Sequence, residues 1–126
     1  MVEAEAKVLS GRSSIIVANG AAEEEVHLLG DRIKLRHAGL AHRMNTTDAF
    51  HTYRVEIQGK DIRVFVDGVL QLDGTGKFTR AAASKRNVVL FGAANSTETG
   101  AAAWKNVRLR TGSRLLYDLI VSVQYR

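Results

Sequence analysis

The sequence predicts an all-β protein built as a sandwich of two antiparallel sheets. Two observations carry this prediction. Apolar and polar residues alternate with a period of two in several segments, as in strands that are buried on one face. Glycine-containing turn pairs such as Asn-Gly, Asp-Gly and Gly-Asp separate these segments into nine to eleven short strands. Many short strands with turns between them are typical of an antiparallel sandwich or barrel.

The first strand is expected at the amino terminus, where alternate residues would share one face: Val2, Ala4, Ala6 and Val8. Ala, Glu and Lys also favour helices, but only strand spacing puts these four residues on one side. Residues 14–18 form a second, β-branched strand that ends at Asn19-Gly20, a pair suited to a tight turn. Residues 24–29 and 32–37 are expected as two further strands joined by Gly30-Asp31.

The clearest prediction is a hairpin in residues 51–72. A two-residue turn at Gly59-Lys60 places Glu56 opposite Arg63 and separates an apolar face from a mostly charged one. A slip of one residue would bury the charges, so the pattern specifies the register. At the next turn a three-residue loop, 67–69, is preferred because it places Leu70 and Leu72 on the apolar face.

The remaining elements follow the same signals. Residues 73–76 are a loop, 81–85 a short helical or irregular connection, and 95–100 another loop. Strands are expected at 87–91, 104–110 and 115–125. The 126 residues suit one domain, 1–126, in which 113–126 is an atypical C-terminal strand.

Composition excludes several classes of function. The chain has no cysteine, which removes disulfides, thiol nucleophiles and thiolate metal sites. No apolar run reaches the length of a membrane span, and no export signal precedes the first strand, so a cytoplasmic location is the default expectation. Eighteen Lys and Arg against thirteen Asp and Glu give a net charge of +5, which suits anionic partners.

Four segments occur in an order that resembles a known superfamily: Phe50–Ile57, Ile62–Gly68, Val89–Gly92 and Trp104–Leu109. They resemble the concanavalin A-like lectin/glucanase superfamily, near the laminin-G-like jelly rolls. The resemblance covers about residues 1–112 and implies a jelly-roll sandwich. The chain is shorter than most members, so one or two edge strands are expected to be missing, and an unprotected edge would favour a homodimer.

The resemblance implies carbohydrate binding as the first function. Glucanases of this fold carry a Glu-x-Asp-x-x-Glu motif whose carboxylates act as nucleophile and acid/base. The sequence has no such motif, so a non-catalytic binding module is the expectation. A self-association module that pairs through strand edges is the alternative, and a reduced glycoside hydrolase is the third hypothesis.

Basic residues supply the candidate site. Seven cations alternate with apolar residues in four strands and would line one face if those strands shared a sheet: Arg32, Lys34, Arg36, Arg54, Arg63, Arg108 and Arg110. Arginine suits acidic glycans or other polyanions, because its planar group binds two oxygens at once. The competing interpretation is that the strands lie in different sheets and the charges only solvate them. The ligand-binding prediction is the set Arg36, Arg54, Glu56, Arg63, Phe65 and Arg108.

Other chemistry finds little support. The four histidines are scattered, and the loop residues Asp31, Asp48, Asp67 and Asp73 form no dense cluster, so calcium is an unsupported option and no cofactor is expected. Residues 73–77 are glycine-rich but lack the spacing of a phosphate loop. Nothing indicates specific nucleic-acid binding, because no zinc finger, helix-turn-helix or aromatic RNA-binding motif is present.

Overall fold

A computed structural model describes residues 1–83, 85, 87–92, 99–110 and 119–124. These residues form eleven strands: β1 (Val2–Gly11), β2 (Ser13–Asn19), β3 (Glu23–Leu28), β4 (Arg32–Leu35), β5 (Leu40–Arg43), β6 (His51–Gln58), β7 (Asp61–Val66), β8 (Val69–Gly74), β9 (Asn87–Gly92), β10 (Gly100–Leu109) and β11 (Leu119–Gln124). The all-β prediction is confirmed. Within the same ranges, no helix has the length and apolar character needed to cross a membrane.

The strands form two sheets. Sheet A has five antiparallel strands in the order β10-β1-β6-β7-β8. Sheet B has the order β11-β9-β2-β3-β4-β5, and its five strands from β9 to β5 are antiparallel. The chain therefore passes from A to B after β1, returns to A for β6–β8, and then alternates between the sheets.

The core lies between the sheets and is filled from alternate positions of both. In β1, the four residues of the predicted apolar face are all buried, whereas Glu3, Glu5 and Lys7 are not. Sheet B contributes the opposite side of the core, including the fully buried Ile15 and Phe91. Trp104 packs edge-on against Phe91, with ring centres 5.5 Å apart, as expected for a core residue rather than an exposed platform.

The predicted hairpin register is confirmed, with Glu56 opposite Arg63 and Tyr53 opposite Val66. The preferred loop at 67–69 is wrong, since the structure has a two-residue turn, Asp67-Gly68, and pairs Val66 with Val69. A register shift after Leu70 then returns Leu72 to the core, while Leu70 stays on the outer face and is 41% exposed. The bulge thus buries Leu72, which the longer loop was expected to do.

The C-terminal prediction is only partly covered. Residues 119–124 form a strand, but it pairs parallel to β9, in contrast to the antiparallel arrangement that was expected. The predicted positions 115–118 and 125 lie outside the described residues, as do 95–98 of the expected loop. In the connection 81–85, the described residues are not helical, and Ala81 instead forms a bridge with Ala22.

Candidate functional site

Five of the six predicted ligand-binding residues lie on sheet A. Its strand pairing places Arg108 beside Glu3, Glu3 beside Arg54, and Arg54 beside Phe65. These four residues form a row across the outer face, because paired residues point to the same side of a sheet. The Arg54 guanidinium lies 4.3 Å from the centre of the Phe65 ring, as expected for a cation–π contact. Arg54, Phe65 and Arg108 therefore share the outer face of sheet A.

Carboxylates interrupt the positive charge of this face. Arg54 Nε lies 3.2 Å from Glu56 Oε1. Arg63 has Asp73 Oδ1 3.5 Å from its Nε, and its ion partners are Asp73 and Asp61 rather than the cross-strand Glu56. Since the cations have acidic neighbours, the face attracts a polyanion less than an unbroken row of arginines would.

Arg36 does not belong to this surface. It follows β4 in sheet B, where its Nη1 donates a 2.7 Å hydrogen bond to Glu25 Oε2. Arg32 and Lys34 lie in β4 itself, so the seven cations do not share one sheet, as the competing interpretation predicted. The period-two pattern showed which side of a strand each arginine occupies, but it carries no information about the sheet to which that strand belongs.

The acidic run in β3 has a structural role in sheet B. Glu24 is buried and accepts 2.8 Å hydrogen bonds from three backbone N–H groups, those of Glu25, His37 and Ala38. This carboxylate thereby holds the turn between β4 and β5 against β3. Glu25 Oε1 lies 2.9 Å from His27 Nε2.

A different group of polar side chains surrounds an open cleft between the edges of the two sheets, which we call the loop cleft. It has a volume of about 360 Å³ and lies where β5, the loop before β6, and the β7–β8 turn come together. Its lining consists of His42, Met44, Asn45, Asp48, His51, Val66, Asp67, Val69 and Gln71.

His51 holds the loop cleft together. Its Nδ1 lies 2.8 Å from Asp67 Oδ2 in the β7–β8 turn, and its Nε2 lies 2.9 Å from Asp48 Oδ1 in the preceding loop. Ionised carboxylates only accept hydrogen bonds, so both contacts are hydrogen bonds when the ring is a protonated imidazolium and both of its nitrogens donate. Partial burial disfavours this charge, but the bonds to Asp67 and Asp48 outweigh it and raise the pKa of His51.

Both carboxylates of the cluster are stabilised in their charged form. The hydrogen bond from His51 lowers the pKa of Asp48. Partial burial works in the opposite direction at Asp67, but bonds from His51 and from the Thr52 N–H lower its pKa. With one cation between two anions, the cluster carries a net charge of −1.

Tyr53 lies two residues after His51 in β6, and the centres of the two rings are 6.3 Å apart. It is fully buried, and among the described residues its hydroxyl has no hydrogen-bond partner. Burial, together with the negative charges of Asp67 and Asp48, raises the pKa of Tyr53, so the hydroxyl stays neutral. The hydroxyl is close enough to feel the charge of both carboxylates without donating to either.

A second open cleft of about 340 Å³ adjoins the first and shares Met44 and Asn45 with it. Its lining also includes Asp31, Gly30 and Thr47. Three of the four loop aspartates considered for calcium thus lie along this edge of the molecule. In the described part of the chain, however, no three metal-ligating side chains are arranged around a common point.

Sequence reasoning did not assemble the loop cleft. The hairpin register could have placed Asp67 beside His51, because its continuation beyond the Tyr53–Val66 pair sets Thr52 opposite Asp67. Asp48 gave no such signal, since it comes from a loop without a repeating pattern.

Comparison with known proteins gives no match that could assign the site, so its chemistry is the basis for interpretation. No protein-family model matches the chain, and no curated protein matches its sequence.

Proposed function

We propose that the protein is a non-catalytic binding module for a carbohydrate and that the loop cleft is its ligand site. The observation that carries the proposal is the cleft itself, about 360 Å³, whose lining combines hydrogen-bonding side chains with the apolar Met44, Val66 and Val69. Binding sites for small ligands have this combination, with volumes of about 300–1,000 Å³.

The lining suits a polyhydroxylated ligand. Asn45 and Gln71 each offer amide donors and acceptors, and Asp48 offers carboxylate oxygens, so hydroxyl groups can both donate and accept. Met44 and Val69 provide apolar contact for the C–H groups of a sugar ring. The ion pairs of His51 hold two sides of the cleft in place, which reduces the entropy lost on binding.

The ionisation of the two aspartates supports binding over hydrolysis. A glycoside hydrolase needs one carboxyl group that keeps its proton near neutral pH, which requires a raised pKa. Asp48 and Asp67 flank His51 in the cleft, but both have a lowered pKa. Neither is suited to act as the general acid, so a reduced hydrolase is the weaker proposal.

The fold supports the proposal only at the level of architecture. Two facing sheets, with a chain that crosses repeatedly between them, are what a concanavalin A-like jelly roll would require. We therefore retain that superfamily as the proposed ancestry of the domain. Fold alone does not determine function, and the cleft carries the functional argument.

The test is an NMR titration of the ¹⁵N-labelled protein with two neutral oligosaccharides, cellotetraose and the tetramer of N-acetylglucosamine. Changes in the chemical shifts of Asn45 and Gln71 would support the loop cleft as the ligand site. These changes should be lost in Gln71→Ala and kept in the control Gln58→Ala, at the exposed end of β6. Changes confined to Arg54 and Phe65 would move the site to sheet A. An absence of changes with either sugar contradicts the proposal.

Self-association remains the second candidate, because one edge strand carries exposed apolar side chains. Val69 and Leu70 of β8 are 57% and 41% exposed, and β8 is an edge strand of sheet A. Exposed edges of this kind favour pairing with another copy. Light scattering after size-exclusion chromatography should then show a dimer that Leu70→Lys disrupts and Leu9→Lys, on the interior strand β1, does not. A monomer at all concentrations excludes this candidate.

A further inference from the structure

The charge of the loop cleft is opposite to that of the whole chain. The protein has a net charge of +5. In the part of the chain that the structure describes, however, the residues lining the cleft include two aspartates and no lysine or arginine. His51 offsets only one of the two negative charges, and the adjoining cleft adds Asp31.

This negative charge is available to a ligand. The side chains of Asp48 and Asp67 are 53% and 52% exposed, whereas that of His51 is only 18% exposed between them. A molecule entering the cleft therefore meets carboxylate oxygens before it meets the imidazolium. The buried Tyr53 hydroxyl, which lacks a hydrogen-bond partner among the described residues, donates to neither carboxylate.

We infer that the loop cleft selects carbohydrates that carry a protonated primary amine, such as oligomers of glucosamine, over neutral and acidic ones. This inference rests on the proposed function and specifies its ligand class. Asp48 is the residue expected to pair with the ammonium group, and the sugar hydroxyls would bond to Asn45 and Gln71. A cleft lined by one sign of charge attracts the opposite sign and excludes its own. The preference is therefore the reverse of the one that the arginines of sheet A would favour.

The experiment is isothermal titration calorimetry at pH 6 with three tetramers: glucosamine, N-acetylglucosamine and galacturonate. We expect glucosamine to bind about two- to fivefold more tightly than its N-acetylated form, the effect of one partly exposed ion pair. That advantage should fall as salt rises. Galacturonate should bind most weakly of the three.

Three variants assign the preference to the cleft. Asp48→Asn should abolish the advantage of the amine, and Asp73→Asn, which changes the net charge equally at the far end of β8, should retain it. Because Asp48→Asn also loses a partner of His51, Gln71→Glu provides an independent test. It adds a carboxylate to the cleft without altering the His51 cluster and should increase the advantage.

The outcomes separate the two proposals. If the glucosamine and N-acetylglucosamine tetramers bind with equal affinity, and Gln71→Glu changes the affinity for neither tetramer, the amine preference is wrong while carbohydrate binding stands. If no tetramer binds, the proposed function fails. Binding of putrescine, a diamine without hydroxyls, as tightly as the glucosamine tetramer would show simple charge attraction and would overturn the inference.

Discussion

At the scale of single residues, Glu24 shows how backbone N–H groups stabilise a buried carboxylate. Its two carboxylate oxygens accept hydrogen bonds from three backbone N–H groups on two different elements. A buried carboxylate is costly unless such donors replace its hydration. Glu24 therefore acts as a connector between β3 and the turn after β4, and its chemistry is structural.

Glu24→Gln tests this role. The amide keeps one oxygen but replaces the other with a donor group, which would face the N–H groups of the turn. We expect a loss of about 1–3 kcal/mol in the free energy of unfolding, measured by urea denaturation. The control is Glu23→Gln, next to it and half-buried, which should cost less than about 0.5 kcal/mol. Equal effects of the two changes would contradict the assignment.

His51 is the second residue with a measurable signature. Its pKa is raised in the folded protein, so the protonated ring stabilises the fold fully below the unfolded-state value of about 6.5. That stabilisation is lost as the pH rises through the higher folded-state pKa. The stability difference between the wild type and His51→Asn should therefore shrink from pH 6 to pH 9, measured by chemical denaturation.

NMR titration of the imidazole signals gives a direct check, because His51 should titrate above the ordinary histidine value. A titration of His51 at or below that value would refute the imidazolium assignment.

At the scale of elements, the bulge in β8 decides which leucine enters the core. Leu72 is 2% exposed, whereas Leu70 lies opposite Phe65 on the outer face. We expect Leu72→Ala to cost about 2–5 kcal/mol of unfolding free energy and Leu70→Ala less than about 1 kcal/mol. Thermal and urea denaturation measure both. Comparable costs for the two changes would instead support the longer loop 67–69, which places both leucines on the apolar face.

The end of the same strand requires a glycine for steric reasons. A Cβ atom on Gly74 would lie 2.6 Å from the Ile62 carbonyl oxygen and 2.7 Å from Ile62 Cγ2 in the paired strand. Gly74→Ala should therefore destabilise β7–β8 by about 1–3 kcal/mol. Gly30→Ala is the matched control, since its nearest neighbour would be Thr47 Cγ2 at 3.8 Å. Calorimetric melting curves of the two variants should differ clearly.

At the scale of the whole molecule, the two faces of sheet A differ in role: one packs in the core and the other is solvated. Its inner face fills the core, and its outer face alternates arginines with carboxylates. We expect the galacturonate tetramer to bind this face only at low salt and to be released between about 20 and 200 mM, because exposed charges are screened over about a Debye length. Binding that persists at high salt would revive the acidic-glycan hypothesis.

Much of the fold could be predicted from local patterns. The Tyr53–Val66 register follows from alternation together with the turn at Gly59-Lys60, since a slip of one residue would bury Arg54 or Arg63. The bulge at Gln71 could not be predicted in this way, because a three-residue loop without a bulge and a two-residue turn with one both bury Leu72. Arg36 was assigned to the wrong surface for a related reason, as strand periodicity does not specify which strands become neighbours.

The sequence by itself determined the strand class, most strand positions and the side of each strand that faces the core, because these depend on residues two positions apart. Only the tertiary structure decided which strands share a sheet and which loops meet. The loop cleft forms where β5 of sheet B meets the loop before β6 and the β7–β8 turn of sheet A. Such a meeting depends on how the chain returns between the sheets, and no short-range pattern encodes that path.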